Sequence, residues 1–150
     1  MANSSDTPKT ILLKGDPLAK EGIAGDAITP GMLLELSGNA DGDLVVSTHN
    51  SNSAVKGPFN IAREMELVGG SIDDAYETGE RVLYYVGKPG DEYYALLAAG
   101  QDVAIGAELM SNADGTLTAK TSTNPTRAIA LEHVDNNPGS GGAAVRIKVG

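Results

Sequence analysis

The chain offers few side chains that could act in catalysis. There are two histidines, His49 in a polar loop and His133 near the end of a predicted strand, and there is no cysteine. The missing cysteines exclude a disulfide, a thiolate zinc site and a cysteine nucleophile. One sequence does not exclude a Ser-His-Asp constellation, but the Gly-x-Ser-x-Gly turn that presents a nucleophilic serine is absent. We therefore interpret both histidines as surface or structural residues and expect no catalytic residue.

Metal and phosphate sites are also poorly supported. The run Asn39-Ala40-Asp41-Gly42-Asp43 resembles a calcium loop superficially. In an EF-hand register, however, the twelfth position is Thr48, where the ion needs a bidentate Glu. The glycine-rich signatures that cradle phosphate are missing as well. The sequence predicts a tight turn at 39–42 and neither a metal site nor a cofactor.

The segment 70–80 resembles the uridine-binding motif of trimeric dUTP pyrophosphatases. By that resemblance Asp73 would activate water and Tyr76 would pack on the uracil. Thr78 inserts an extra residue into the motif, and the Gly-Arg-Ser-Ser and glycine-rich carboxy-terminal motifs of the family are missing. Without them there is no phosphate cradle, so this enzyme stays only as an alternative function.

Charge and composition restrict the class of protein further. The 150 residues suffice for one domain, or for two very small ones that share a core, and 20 acidic against 11 basic residues give a net charge of -9. Nucleic acids and anionic membranes attract basic surfaces, so we expect neither as a partner. The polar N-terminus does not resemble a signal peptide, and no aliphatic run is long enough to cross a membrane. With one Phe, no Trp and five Tyr, the core must be mainly aliphatic.

Turn signals separate short apolar runs along the whole chain. The 19 glycines are dispersed among Val, Ile, Leu and Thr, which is typical of many short strands joined by tight turns. No long window has a convincing helical period. The sequence predicts four hairpins, in which the paired strands are 32–36 with 44–48, 81–86 with 92–98, 108–111 with 116–120, and 127–134 with 143–149.

An internal repeat is the most informative pattern. The turn Asn39-Ala40-Asp41-Gly42 recurs as Asn112-Ala113-Asp114-Gly115, and similar residues surround both copies in the same order. The flanking matches are Gly31 with Gly106, Leu34 with Leu109, Ala62 with Ala130, Glu64 with Glu132, Val82 with Val145, Val86 with Val149, and Gly87 with Gly150. Two similar β units in one chain suggest that each unit covers the apolar face of the other.

We therefore predict an all-β fold, a small barrel or sandwich of short antiparallel strands built from two similar units. Residues 1–25 form an extended N-terminal arm and connector, and residues 26–150 form the β domain. Within that domain the units lie at about 26–87 and 102–150, and the hairpin 88–101 joins them. Barrel and sandwich need the same alternating strands, so the sequence does not separate them.

The chain as a whole resembles the capsid decoration (cement) proteins of tailed bacteriophages. The resemblance is one of pattern and order over most of residues 11–149, and no single segment is diagnostic. The segments that carry it are Ile11–Pro17 with Ala27–Gly31, Tyr76–Val82 leading to Gly90–Ala98, and Ile105–Leu109 with Asp114–Leu117 and Arg127–Glu132.

The resemblance implies a structural, non-enzymatic protein of the virion. Such a protein would be made in the bacterial cytoplasm and would bind the major capsid protein on the outer surface of the head. There it would bridge capsomers, commonly at local three-fold positions and often as a homotrimer, and would stabilise the mature head. Neither composition nor spacing shows any of this.

The N-terminal arm is the candidate contact with the capsid. We expect Ile11, Leu12, Leu13 and Lys14 to bind the shell, and deletion of residues 1–14 to weaken binding without unfolding the domain. The alternative interpretation is a disordered tail followed by an ordinary edge strand, which would explain the same residue pattern without a capsid contact.

A β-rich ligand- or carbohydrate-binding module is an alternative to decoration. Sugar recognition uses exposed aromatic rings, and Tyr84, Tyr85, Tyr93 and Tyr94 form the one aromatic cluster. Alternation along paired strands would send one Tyr of each pair inward, which favours packing over sugar binding.

Overall fold

The computed structural model describes residues 10–65, 69–121, 123–136 and 142–150, and within these ranges it contains thirteen strands and no helix. The strands are β1 (Leu12–Lys14), β2 (Leu18–Ala24), β3 (Leu33–Ala40), β4 (Asp43–Thr48), β5 (Phe59–Ala62), β6 (Arg81–Gly87), β7 (Glu92–Leu97), β8 (Asp102–Val103), β9 (Glu108–Ser111), β10 (Leu117–Ala119), β11 (Ala128–Ala130), β12 (Val134–Asp135) and β13 (Ala143–Val149).

The first five-stranded barrel uses β2 to β6. Its strand order is β2-β4-β3-β5-β6, and the pairing of β2 with β6 closes it. All neighbours are antiparallel except β2 and β4, which run parallel. Alternate residues of each strand point inward and bury an aliphatic interior with two tyrosines. The buried hydrophobic residues are Ala24, Ile28, Leu34, Val46, Ala62, Tyr76, Val82 and Tyr84.

The second barrel repeats the topology of the first. Its order is β7-β10-β9-β11-β13, and the pairing of β7 with β13 closes it. Here the parallel pair is β7 with β10. β1 pairs with β7 as an additional strand, and β8 and β12 form a separate two-stranded sheet. The equivalent strands are therefore β2 and β7, β4 and β10, β3 and β9, β5 and β11, and β6 and β13.

Matching hydrogen bonds confirm that the two units are similar. The Gly31 amide donates to the Ala62 carbonyl at 2.9 Å, and the Gly106 amide donates to the Ala130 carbonyl at 2.8 Å. Likewise, the residue after β2 donates to Val46 and the residue after β7 donates to Leu117, both at 2.8 Å. The flanking matches of the sequence repeat, though not the turn itself, therefore correspond to a repeat of strand order and register.

The two barrels share one apolar core. Leu33, Phe59, Ile61 and Tyr85 of the first barrel belong to the same buried cluster as most of the interior of the second barrel, including Tyr93. The strands β5 and β6 are consequently covered on both faces, by their own barrel and by the other one. This explains why all four residues of β5 are buried.

The repeated turn has a different position and environment in each unit, because nine residues separate Leu36 from its partner Val46 and only five separate the equivalent Ser111 from Leu117. Around Asp41 and Gly42 it is exposed, with positive φ at both residues. In the second unit Gly115 is buried between the barrels, where its amide donates to the His49 carbonyl and its carbonyl accepts from the Leu33 amide. A Cβ at Gly115 would lie 3.2 Å from the side chains of Met32 and Thr48, so this contact favours glycine.

The predicted hairpin of 81–86 with 92–98 is wrong. β6 pairs with β2 and β5, and β7 pairs with β1, β10 and β13. Barrel closure has already occupied both edges of β6, so the turn around Pro89 leads from one barrel into the other. The other three predicted strand pairings are present, as β3 with β4, β9 with β10, and β11 with β13.

Two boundaries also differ from those that the sequence suggested. β2 lies within residues 1–25, the predicted arm and connector, because its first four residues are exposed and give no alternating pattern. β7 lies in the predicted linking hairpin 88–101 and is the first strand of the second barrel.

We predict that Ile61→Ala destabilises the protein by about 2–5 kcal/mol, because it leaves a cavity in the core that both barrels share. Ile105→Ala is the matched control, since Ile105 is 72% exposed and its truncation should change the free energy of unfolding by less than about 0.5 kcal/mol. Urea denaturation measures both. Equal effects for the two substitutions would contradict the shared core.

Candidate functional site

The structure places the predicted capsid-contact segment on the second barrel. The Leu12 and Lys14 positions pair with Tyr93 and Glu92 of β7, and the Ile11 carbonyl accepts a hydrogen bond from the Tyr94 amide at 2.8 Å. The Ile11 amide donates to the Glu64 carboxylate at 3.0 Å. The segment is therefore part of the fold.

This placement corrects the prediction for Ile11. Its side chain is 2% exposed and packs in the shared core, so in this conformation it cannot contact a partner. Leu12 and Leu13 are half-buried and Lys14 is exposed. Deletion of residues 1–14 would remove a strand and a core side chain, so it would destabilise the domain, contrary to the expectation from the sequence. Residues 1–9 of the predicted arm lie outside the described residues.

A buried polar cluster joins the barrels at His49, Ser111 and Arg127. The His49 Nδ1 atom lies 2.8 Å from the Ser111 hydroxyl, and its Nε2 atom lies 2.9 Å from the Val55 carbonyl. The guanidinium of Arg127 donates to the same Val55 carbonyl at 2.8 Å. Its Cζ atom also lies 5.9 Å from the centre of the Phe59 ring.

The contacts of His49 do not select one neutral tautomer. Nε2 lies 2.9 Å from the Val55 carbonyl, which only accepts, and 3.2 Å from the Arg127 guanidinium, which only donates, so either protonation of Nε2 leaves one of these contacts unsatisfied. The Ser111 oxygen in turn accepts from the Ala113 amide at 3.2 Å. Burial lowers the pKa of His49, and the charge of Arg127 acts in the same direction. The imidazole therefore stays neutral at pH 7.

The cluster is unsuited to catalysis. His49 and Ser111 are both buried, and the ring nitrogen opposite the serine faces a carbonyl and a guanidinium where a triad has a carboxylate. The structural interpretation of His49 agrees with this environment. No pattern in the sequence indicated the cluster, because its three members are far apart along the chain and meet only at the barrel interface.

The other candidate catalytic residues are not brought together. His133 is exposed and lies 2.7 Å from the Asp102 carboxylate. Tyr76 is buried in the first barrel, where its hydroxyl donates to the Arg63 carbonyl at 2.6 Å, whereas Asp73 is exposed. A buried Tyr76 cannot pack on a uracil, which argues against the dUTP pyrophosphatase alternative.

The aromatic residues leave no platform for sugar stacking. All six are described, and Tyr94 is half-buried while Phe59 and the other four tyrosines are buried. Alternation does turn the neighbouring Tyr84 and Tyr85 to opposite faces of β6. Tyr84 points into the first barrel, and the second barrel covers Tyr85 on the other face. The carbohydrate-binding alternative therefore lacks its recognition surface.

A cavity of about 310 Å³ lies between the barrels, beside the polar cluster. Its walls include Pro58 and Phe59 from the first barrel and Arg127 and Val149 from the second. The N–H groups of Arg127 that face this region bond to backbone carbonyls of Val55 and Pro58, so they are not free for a ligand.

Neither a metal-binding cluster nor a membrane helix is present in the described part of the chain. In the four described ranges, no group of three or more His, Asp or Glu side chains could hold a metal ion. Those ranges also contain no helix long and apolar enough to span a membrane.

The fold is thus a tandem of two small β-barrels with one shared core. No protein-family model matches the chain, and no curated protein matches it. A solved structure with the same fold is the head fiber gp8.5 N base in bacteriophage phi29. It matches with a TM-score of 0.60 and 15% sequence identity, over 89% of this chain and 93% of that chain. At this identity the similarity concerns the fold.

We predict that stability falls between pH 7.5 and 5.5. The pKa of His49 is lower in the folded protein than its ordinary value of 6.5. The unfolded chain therefore binds more protons below that value, and stability is lost as the pH falls toward the folded pKa. Urea denaturation at both pH values measures the loss.

The variant His49→Gln should have a smaller pH dependence than the wild type. His133→Gln is the matched control, since the other histidine is exposed, and it should keep the dependence. If His133→Gln flattens the pH profile and His49→Gln does not, the assignment to the buried cluster is wrong.

Proposed function

We propose that this protein is a structural component of a tailed-phage head, bound to the outer surface of the capsid. The observation that carries the proposal is the similarity to the phi29 head fiber base, which extends over nearly the whole of both chains. The pattern of segments that resembles capsid decoration proteins supports the same assignment independently.

The described surface fits a role that depends on shape and contact. His49, the tyrosines and the buried Arg127 serve the core and the barrel interface. Two barrels fixed against each other form a rigid unit, and rigidity lowers the entropy cost of binding. In this proposal the protein bridges neighbouring capsomers and resists the outward pressure of packaged DNA, without any catalytic step.

We also propose that the partner is the major capsid protein and that three copies bind together at local three-fold positions. Linked contacts raise a modest single-site affinity by roughly 10²–10⁴ through avidity. A trimer could therefore hold the shell firmly even if each copy offers a small contact.

The first test is co-sedimentation of the purified protein with undecorated heads of its own phage. We expect saturable binding at a stoichiometry that matches the local three-fold sites. Protein without heads, spun in parallel, controls for aggregation. Protein that stays in the supernatant with heads present would refute the capsid role, and saturation at another stoichiometry would refute the three-fold placement.

The exposed end of the predicted contact segment can be tested separately. The double variant Leu13→Ser, Lys14→Glu should bind heads about tenfold more weakly, because it removes an apolar contact and reverses a charge. Both side chains are at least partly exposed, so the thermal midpoint should change little. Unchanged head binding would exclude these two residues from the contact.

A further inference from the structure

Three exposed leucines lie on inward-facing positions of the first barrel. Leu18 is 61% exposed, Leu36 55% and Leu44 39%. Leu36 and Leu44 each lie two residues from a buried interior residue of the same strand, Leu34 and Val46 respectively. Side chains two apart on a strand share a face. Leu18 pairs with Val86, which packs against the same interior.

The three leucines lie at one end of the barrel. β2 and β4 are parallel neighbours, so the beginnings of both strands lie together. β3 is antiparallel to β4, so its last residues lie at that end as well. We call Leu18, Leu36 and Leu44 the open end of the first barrel. Their side chains extend the inward face, and no element among the described residues covers them.

The second barrel has the same end covered. Pairing registers align Leu18 with Asp91, Leu36 with Ser111, and Leu44 with Gly115. All three equivalents are buried, and two of them bond to His49 of the first barrel. The same end of the barrel thus packs against the first barrel in the second unit and is uncovered in the first unit.

Three exposed lysines lie near Leu18 along the chain or near its strand partner Val86. Lys20 shares the inward face of β2 with Leu18, Lys14 precedes Leu18 by four residues, and Lys88 follows its strand partner Val86 by two. These lysines are exposed and make no ion pair with any described residue. Three exposed lysines this close along the chain to Leu18 or to its strand partner, in a chain of net charge -9, favour a partner surface that carries carboxylates.

Another copy of this chain is poorly suited to cover the open end in the way that the barrels cover each other. The first barrel receives the second on Leu33, Phe59 and Tyr85. By the same alignment of registers, the equivalent positions of the second barrel are Glu108 and Lys148, which are exposed, and Arg127, which is buried under the loop before β5. Charged side chains there would oppose an apolar end, so the internal contact does not continue from copy to copy.

We propose that the open end of the first barrel is the face that docks on the capsid shell, with its leucines in an apolar depression and its lysines against surrounding carboxylates. This inference rests on the proposed function and adds the contact face to it. The lysine contribution makes the association weaker at higher salt, because charges at a rim are screened.

The test compares two variants in co-sedimentation with undecorated heads. One is the double variant Leu18→Ser, Leu36→Ser, and the other is the single variant Ile105→Ser. Ile105 is the matched control, because it is 72% exposed and lies in the second unit. We expect the double variant to bind about tenfold or more weakly and the control to bind like the wild type. All three proteins should have similar thermal midpoints. Lys20→Glu, which leaves the leucines in place, should also weaken binding.

The outcomes separate this inference from the function on which it rests. If the wild type binds heads and the leucine and lysine variants bind equally well, the contact face is wrong and the capsid role stands. If the wild type does not bind, both fail. If the free wild type sediments as a dimer or larger species and the double variant as a monomer, a second copy covers the open end and the proposal is overturned.

Discussion

The apolar contact between the two barrels is the interaction on which the rest of the structure depends. A barrel of five short strands encloses few side chains, and domains of about 60 residues are marginally stable by themselves. Here each barrel packs an apolar face, which it cannot cover by itself, against the other barrel. The ring of Phe59 lies 5.9 Å from that of Tyr93, and the rings of Tyr85 and Tyr93 lie 6.1 Å apart. The aromatic side chains thus serve mainly to join the barrels.

The polar groups at this contact determine how the barrels are oriented. Apolar burial has no direction, so alone it would permit sliding between two smooth surfaces. The backbone bonds of Gly115 and the His49–Ser111 pair have fixed geometry and are satisfied only in one arrangement. Arg127 adds a buried cation whose hydrogen bonds tie the loop before β5 to the second barrel. The loop residues 49–58 of the first unit are therefore part of the interface.

The two repeats share a topology and differ in their surfaces. Leu33 and Glu108 occupy equivalent strand positions, yet one is buried at the interface and the other is exposed. Leu44 and Gly115 likewise occupy equivalent positions, and the first is exposed whereas the second is buried. Because of this divergence, the apolar surface by which the first barrel receives the second is not repeated on the second barrel.

The sequence by itself determined what short-range patterns control. Alternating aliphatic residues and Asn-Ala-Asp-Gly turns predicted the all-β class, three of the four strand pairings and the repeat, because a tight turn forces adjacent strands to pair. The tertiary structure decided which distant edges close each barrel. Closure joined β2 to β6 and β7 to β13, buried Ile11, and brought His49 to Ser111 and Arg127. These contacts depend on the packing of strands that are far apart in the chain, and no local pattern of residue types records that packing.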